Sequence, residues 1–243
     1  MLFRQLFDRE SCTYTYLIAD TAAREAALVD TVREQSGRDL ELVTQLGLKL
    51  VAVFETHVHA DHVTGAGRLR KHTGATCYVP LLGGAPCADA PLTDGDVVRV
   101  GAVELRVVAT PGHTAGCVSY LVSEGGRPPD RVLTGDSLFV RGCGRTDFQD
   151  GDAGTLWDSV HARLFTLPDE TLVYPAHCYR GMSVSSIGEE KRHNPRLGGD
   201  KTRAEFIALM GELGLPPPAK ISEAVPANRA CGESNPPPAR GTL

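Results

Sequence analysis

The chain has 243 residues, is 42% hydrophobic and carries a formal net charge of -5 with both signs interspersed. That is ample for one large core, but it offers no basic stripe for nucleic acid and no apolar run near the roughly 18 residues that a membrane helix needs. Seven cysteines, an odd number without paired spacing, are expected to be reduced thiols in a cytoplasm, and the N-terminal residues read as neither a signal nor a transit peptide.

Taken in order, residues 12–18 and 26–29 read as two strands around the turn Asp20-Thr21-Ala22-Ala23. Asp30 ends the second strand. It is either a turn cap or a carboxylate that orients a metal-bound imidazole. Residues 38–46 show helical spacing through Leu40, Val43 and Leu46 and stop at Gly47, a C-cap residue. The run 50–54 is β-branched and aromatic, the pattern of a buried strand.

Directly after that strand comes Thr56-His57-Val58-His59-Ala60-Asp61-His62, with three histidines and an aspartate in six consecutive positions. In extended backbone His57 and His59 face the same side. Imidazoles this close repel each other when protonated and compete for partners when neutral; a divalent metal removes the conflict. A single His at a strand end is ordinarily a surface or satisfied core residue. Four ligand types at this spacing point to a metal centre.

Residues 62–72 read as a helix softened by Gly65 and Gly67, whose small size lets its start pack closely behind the cluster. A strand at 77–79 follows. Asp94-Gly95-Asp96 then turns the chain into strands 97–100 and 103–109 around the tight hairpin Gly101-Ala102. The loop Thr110-Pro111-Gly112-His113-Thr114 holds His113 on stiff backbone. Strands at 117–122 and 131–133 flank a surface loop at 124–130. Gly135-Asp136 places another ligand at a strand end, and Gly135 there permits close approach of backbone to an ion.

The loop 141–148 is Gly-rich and holds two arginines. Arg145 reads as an anion clamp beside the metal, and Arg141 as part of a solvated turn. Cys143 and Cys178 are expected to be small core residues. A helix at 155–165 and a strand at 172–174 lead to Pro175-Ala176-His177. Residues 189–191 read as a solvated helix face. Residues 201–213 form a helix closed by Gly214. Proline runs at 216–218 and 236–238 mark an irregular tail from about 216. No repeat and no composition shift divides the chain, so residues 1–243 are expected to form a single domain.

The motifs Thr-His-x-His-x-Asp-His at 56–62, Thr-Pro-Gly-His-Thr around His113, Gly135-Asp136 and Tyr-Pro-Ala-His ending at His177 together resemble the metallo-β-lactamase superfamily. The resemblance implies an α/β fold, an αββα sandwich of two mixed sheets with outer helices and the metal at one edge. Two branches compete within it. The loop 135–149, above all Thr146-Asp147-Phe148-Gln149, looks like the persulfide dioxygenases rather than glyoxalase II, as do 174–181 and 189–197. The short tail also departs from glyoxalase II. Cys178 stands where relatives often carry an acidic residue, which argues against a second metal at His177.

By that resemblance, one Fe(II) per chain is held by His57, His113 and Asp136, two imidazoles and a carboxylate on one face, leaving the other positions open. His59, Asp61, His62 and His177 then orient hydrogen bonds and water around the iron or, in the alternative, bind a second metal. Arg145 and Tyr179 are candidate substrate contacts. The implied activity is oxidation of glutathione persulfide, or a similar small persulfide, by O2 to sulfite and free thiol in sulfide detoxification. The alternative is a glyoxalase II-type thioester hydrolase with two zinc or mixed ions. A non-catalytic metal domain that docks partners fits an open site poorly. The expected partners are the small-molecule persulfide and O2, with no nucleic acid and no membrane; the family implies a homodimer, and the expected location is cytoplasmic.

Overall fold

The computed structural model describes residues 1–233. Strands β1 (Leu2–Phe7), β2 (Tyr14–Asp20), β3 (Glu25–Val29), β4 (Lys49–Phe54), β5 (Thr76–Pro80) and β6 (Ala90–Leu92) lie side by side in that order in one sheet. β1 to β3 pair antiparallel, and β3 to β6 parallel. The second sheet holds β7 (Val97–Val100), β8 (Val103–Ala109), β9 (Val118–Glu124), β10 (Arg131–Gly135), β11 (Leu172–Pro175) and β12 (Ser185–Ser186). Only β10 and β11 are parallel there.

The central strands are apolar on both faces because both faces are covered, as sheets sandwiched by helices require. Between the sheets lie Tyr16, Ile18, Phe54, Leu105, Tyr120 and Leu133. Outside the first sheet, α1 (Ser36–Gln45) and α2 (Ala66–Thr73) cover Leu17, Leu28 and Val53. Outside the second, α3 (Ala153–Ser159), α4 (Ile187–His193) and α5 (Arg203–Gly211) cover Val132, Leu138 and Val173 with Leu156, Ile187 and Phe206. A further helix, α6 (Ile221–Arg229), packs behind the loop that leaves β4. This is the αββα sandwich. None of the described helices is long and apolar enough to cross a membrane.

Several expectations are corrected. The helix read at 62–72 begins only at Ala66. The Thr64 amide is taken by the Asn228 side chain and the Gly65 amide by the Thr31 carbonyl, so the chain stays looped until then. The tail from 216 is not irregular throughout, since α6 occupies 221–229; the prolines at 236–238 lie outside the described residues. Glu190 is buried rather than solvated, and accepts hydrogen bonds from Arg141, Ser185 and Asn194, which turns Arg141 into a tether between loop and helix. The cysteines are not all thiols. Cys87 and Cys231, 144 residues apart, form a disulfide because the loop before β6 meets the end of α6. That removes one of the supports for a cytoplasmic location.

Candidate metal centre

All the ligand-type side chains sit just past the carboxyl ends of β4, β8, β10 and β11, at one edge of the sandwich. Thr56 lies two residues past the end of β4. Its amide and its hydroxyl both donate to the buried Asp30 carboxylate, at 2.7 and 2.9 Å. The single hydroxyl proton is then committed, so Thr56 Oγ1 accepts from His57 Nδ1 at 3.0 Å. This fixes the His57 tautomer and leaves Nε2 with a free lone pair. Asp30 is therefore an orienting carboxylate.

His113 is treated the same way. Its Nδ1 donates to the Arg145 carbonyl at 2.6 Å, and its Nε2 lies 3.3 Å from Asp136 Oδ2. Asp136 Oδ1 is buried and makes no hydrogen bond among the described residues. One donor atom from each of His57, His113 and Asp136 falls within 4.8 Å of the others. Gly144 makes this closeness sterically feasible: a Cβ there would lie 2.8 Å from His113 Nδ1 and 2.9 Å from Asp136 Cβ. Gly135 serves a different purpose from the one expected. Its φ is +51°, and a Cβ would strike Thr56 Oγ1 at 2.7 Å, so it makes room for Thr56 rather than for an ion.

Burial, followed by the neighbouring His59 and His113, holds His57 well below the ordinary imidazole pKa. Its imidazole is thus held in the neutral form. Two imidazole nitrogens and a carboxylate oxygen converge in a buried pocket, each imidazole tied from behind and one carboxylate oxygen without a hydrogen bond among the described residues. That arrangement fits a divalent first-row metal, and the protein has a His/Asp metal-binding site.

A second group lies beside it. Donor atoms of His59, Asp61 and His62 also fall within 4.8 Å of one another. His59 Nε2 is shared between Asp30 at 3.1 Å and Glu55 at 3.2 Å. Burial opposes charge on His59, yet those two carboxylates outweigh it and raise its pKa. Asp61 is held well below the ordinary carboxylate range; burial works against this, but His62 and His177 prevail. His177 donates through Nδ1 toward the Cys12 carbonyl at 3.3 Å, with Nε2 3.6 Å from Asp61 and 3.5 Å from Asp136. The structure therefore brings all seven ligand-type residues together.

Next to the metal site opens a cavity of about 700 Å³, lined in part by Asp136, Phe139, Phe148, His177 and Tyr179. Tyr179 stands exposed at its mouth, its ring parallel to that of His177. Arg145 also reaches the cavity but offers no free fork. Its donors go to both Asp147 oxygens, each at 2.6 Å, and to the carbonyls of Pro216 and Leu215. The anion-clamp reading is thereby replaced by one in which Arg145 anchors its own loop. Cys143 and Cys178 are buried, as expected. Glu55, Gly144 and Asn228 were not anticipated as parts of the site. Only Glu55, four residues before His59, had a signal in the sequence.

A family model for the metallo-beta-lactamase superfamily matches residues 12–177. Over 238 residues the chain is 48% identical to the mitochondrial persulfide dioxygenase ETHE1 of Mus musculus, covering 98% of this chain and 91% of that one. It matches the crystal structure of ETHE1 from Myxococcus xanthus with a TM-score of 0.91 at 58% identity, covering 96% of this chain and 100% of the other. Likeness to a hydroxyacylglutathione hydrolase of Cereibacter sphaeroides is lower, 34% over 227 residues, covering 90% of this chain and 82% of that one.

Proposed function

The chain belongs to the metallo-beta-lactamase superfamily and acts as a persulfide dioxygenase, and we propose that it does so with one ferrous ion held by His57, His113 and Asp136, on a small-thiol persulfide such as glutathione persulfide. The near-full-length likeness to persulfide dioxygenases carries the activity. The convergence of those three side chains supports the ligand set. The overall reaction is RSSH + O2 + H2O → RSH + SO3²⁻ + 2H⁺.

When bound, iron supplies the one-electron steps of O2 chemistry that side chains do not. The chain's own residues do the rest. Thr56 and the Arg145 carbonyl hold the two imidazoles with their Nε2 atoms facing inward. Asp30 and Glu55 hold His59 as a hydrogen-bond donor between two carboxylates, which favours an orienting role over a ligand role. His177, which lines the cavity, sets its Nε2 between Asp61 and Asp136 and is placed to receive or release a proton of the reaction. Phe139 and Phe148 give the cavity the apolar lining that suits a sulfur chain, while Tyr179 stands at its mouth as the substrate contact.

A second reading rests on one observation: His59 Nδ1 and His62 Nε2 are buried without hydrogen-bond partners among the described residues, as ligands of a second ion would be. In that reading the protein is a two-metal thioester hydrolase. Product analysis separates the two. With glutathione persulfide and O2, sulfite and free thiol should appear together in equal amounts. Hydrolysis of a glutathione thioester, without sulfite from the persulfide, would overturn the dioxygenase reading.

A further inference from the structure

The loop between β4 and α2 carries His57, His59, Asp61 and His62, yet has no sheet or helix ladder of its own to hold it. Its backbone polar groups still need partners where they are buried. Asn228, a buried side chain of α6, supplies three of them. Its Nδ2 donates to the His59 carbonyl at 2.9 Å and to the His62 carbonyl at 2.8 Å, and its Oδ1 accepts from the Thr64 amide at 2.8 Å. Both donors of the amide and its acceptor are spent on this one loop.

The helix that presents Asn228 is itself weakly held by apolar packing. Its buried contacts are Ala224 and Ala227 against Val63. Its ion pair from Glu223 to Arg33 is exposed, a kind that contributes little. What fixes its end is covalent. Cys231, three residues past Asn228, is bonded to Cys87 in the loop before β6, and its carbonyl accepts from the Gly67 amide at 2.7 Å in the first turn of α2. A third cysteine, Cys77, places its sulfur 3.7 Å from that of Cys231. Burial pushes the Cys77 thiol up to about 12, which keeps it from attacking the disulfide.

We propose that Asn228 is the positioning residue for the metal-bearing loop and that the Cys87–Cys231 disulfide keeps it seated there. This rests on the reading of that loop as part of a metal site. The hydrogen-bond set specifies both carbonyls and the amide of the loop, so neither a carboxylate nor a methyl group at 228 reproduces it. The disulfide matters because it closes the far end of a segment that hydrophobic burial alone holds poorly.

The test uses the metal-loaded full-length protein and competition with a metal chelator, at a temperature well below unfolding. In Asn228→Asp the acceptor to Thr64 remains, but the His59 and His62 carbonyls face a carboxylate. Metal affinity should fall at least about tenfold, the scale seen when residues that orient ligands are lost. Cys87→Ser, which leaves Asn228 untouched, should weaken it in the same direction by less. Counting thiols in denatured, unreduced wild type should give the five free cysteines, and all seven after reduction. A merely structural role for Asn228 would lower the melting temperature and leave affinity within about twofold, which overturns the positioning claim. Seven thiols before reduction, or unchanged affinity in Cys87→Ser, overturns the disulfide clamp. If the wild type binds no metal at all, the premise fails instead, and the two failures are told apart.

Discussion

The backbone carbonyl of Arg145 accepts a hydrogen bond from Nδ1 of His113 at 2.6 Å. The arginine thus acts on the metal site through its main chain, and its side chain acts on the main chain. By gripping Asp147 and the carbonyls of Leu215 and Pro216, the guanidinium holds the loop whose carbonyl aims His113. Arg145→Ala should therefore lower metal affinity by about tenfold to a hundredfold, as loss of a ligand's orienting partner does. A role confined to substrate binding would instead raise KM and leave metal content unchanged, and metal analysis beside steady-state kinetics distinguishes the outcomes.

Thr56 joins Asp30 to His57 through one hydroxyl. Thr56→Val keeps the shape and removes the hydroxyl, which strands an Asp30 oxygen and frees the His57 ring. The buried, unpaired groups should cost about 1–3 kcal/mol of stability. Metal affinity should fall as well, because the His57 tautomer is no longer fixed. Denaturant unfolding of the metal-free protein isolates the first effect, and chelator competition the second. Full metal affinity in this variant would contradict the relay.

Much of this site is legible in the sequence. The four ligand motifs each follow an apolar run, and a strand end is a rigid place from which to project a side chain, so their convergence on one edge follows from the pattern. Strands β2, β4, β8 and β10 were readable because buried strands are written as apolar runs. β1, β6 and β12 were not: β1 is an edge strand that is only half-buried, β6 carries Pro91 and has three residues, and β12 has two. Long-range partners left no local trace. Asn228 meets His59 across 169 positions, and Cys87 meets Cys231 across 144. Arg145 showed its charge in the sequence, whereas the Asp147 and carbonyl partners that consume that charge emerge only from the folded loop.

Gly144 lies against both His113 and Asp136. In Gly144→Ala the added methyl group must displace one of them, and both belong to the proposed ligand set. The variant should fold, since the loop is at the rim of the core, yet lose most bound metal and with it most turnover. Wild-type metal content in a folded Gly144→Ala protein would show that the close approach is not needed.

Asp39 is fully buried in α1, and burial, against the pull of Arg38, pushes its pKa from 3.8 up to about 6. A carboxyl with a raised folded pKa binds its proton more tightly in the folded state. Its contribution is complete below the unfolded pKa and is lost as pH rises through the folded one, here between about pH 4 and 6. That rise from 3.8 to about 6 corresponds to about 3 kcal/mol. Relative to Asp39→Asn, wild type should lose about that much stability from about pH 4 to pH 7. A pH-independent difference between the two proteins would mean that Asp39 is not a perturbed group.

The central claim is a single ferrous ion on His57, His113 and Asp136 that serves O2 chemistry at a persulfide. It is tested most directly by measuring metal identity and stoichiometry, together with O2 uptake, on protein purified anaerobically without added metal. The expected result is about one iron per chain, with O2 consumed in step with added glutathione persulfide. About two zinc ions per chain, with no O2 uptake and active thioester hydrolysis, would contradict it.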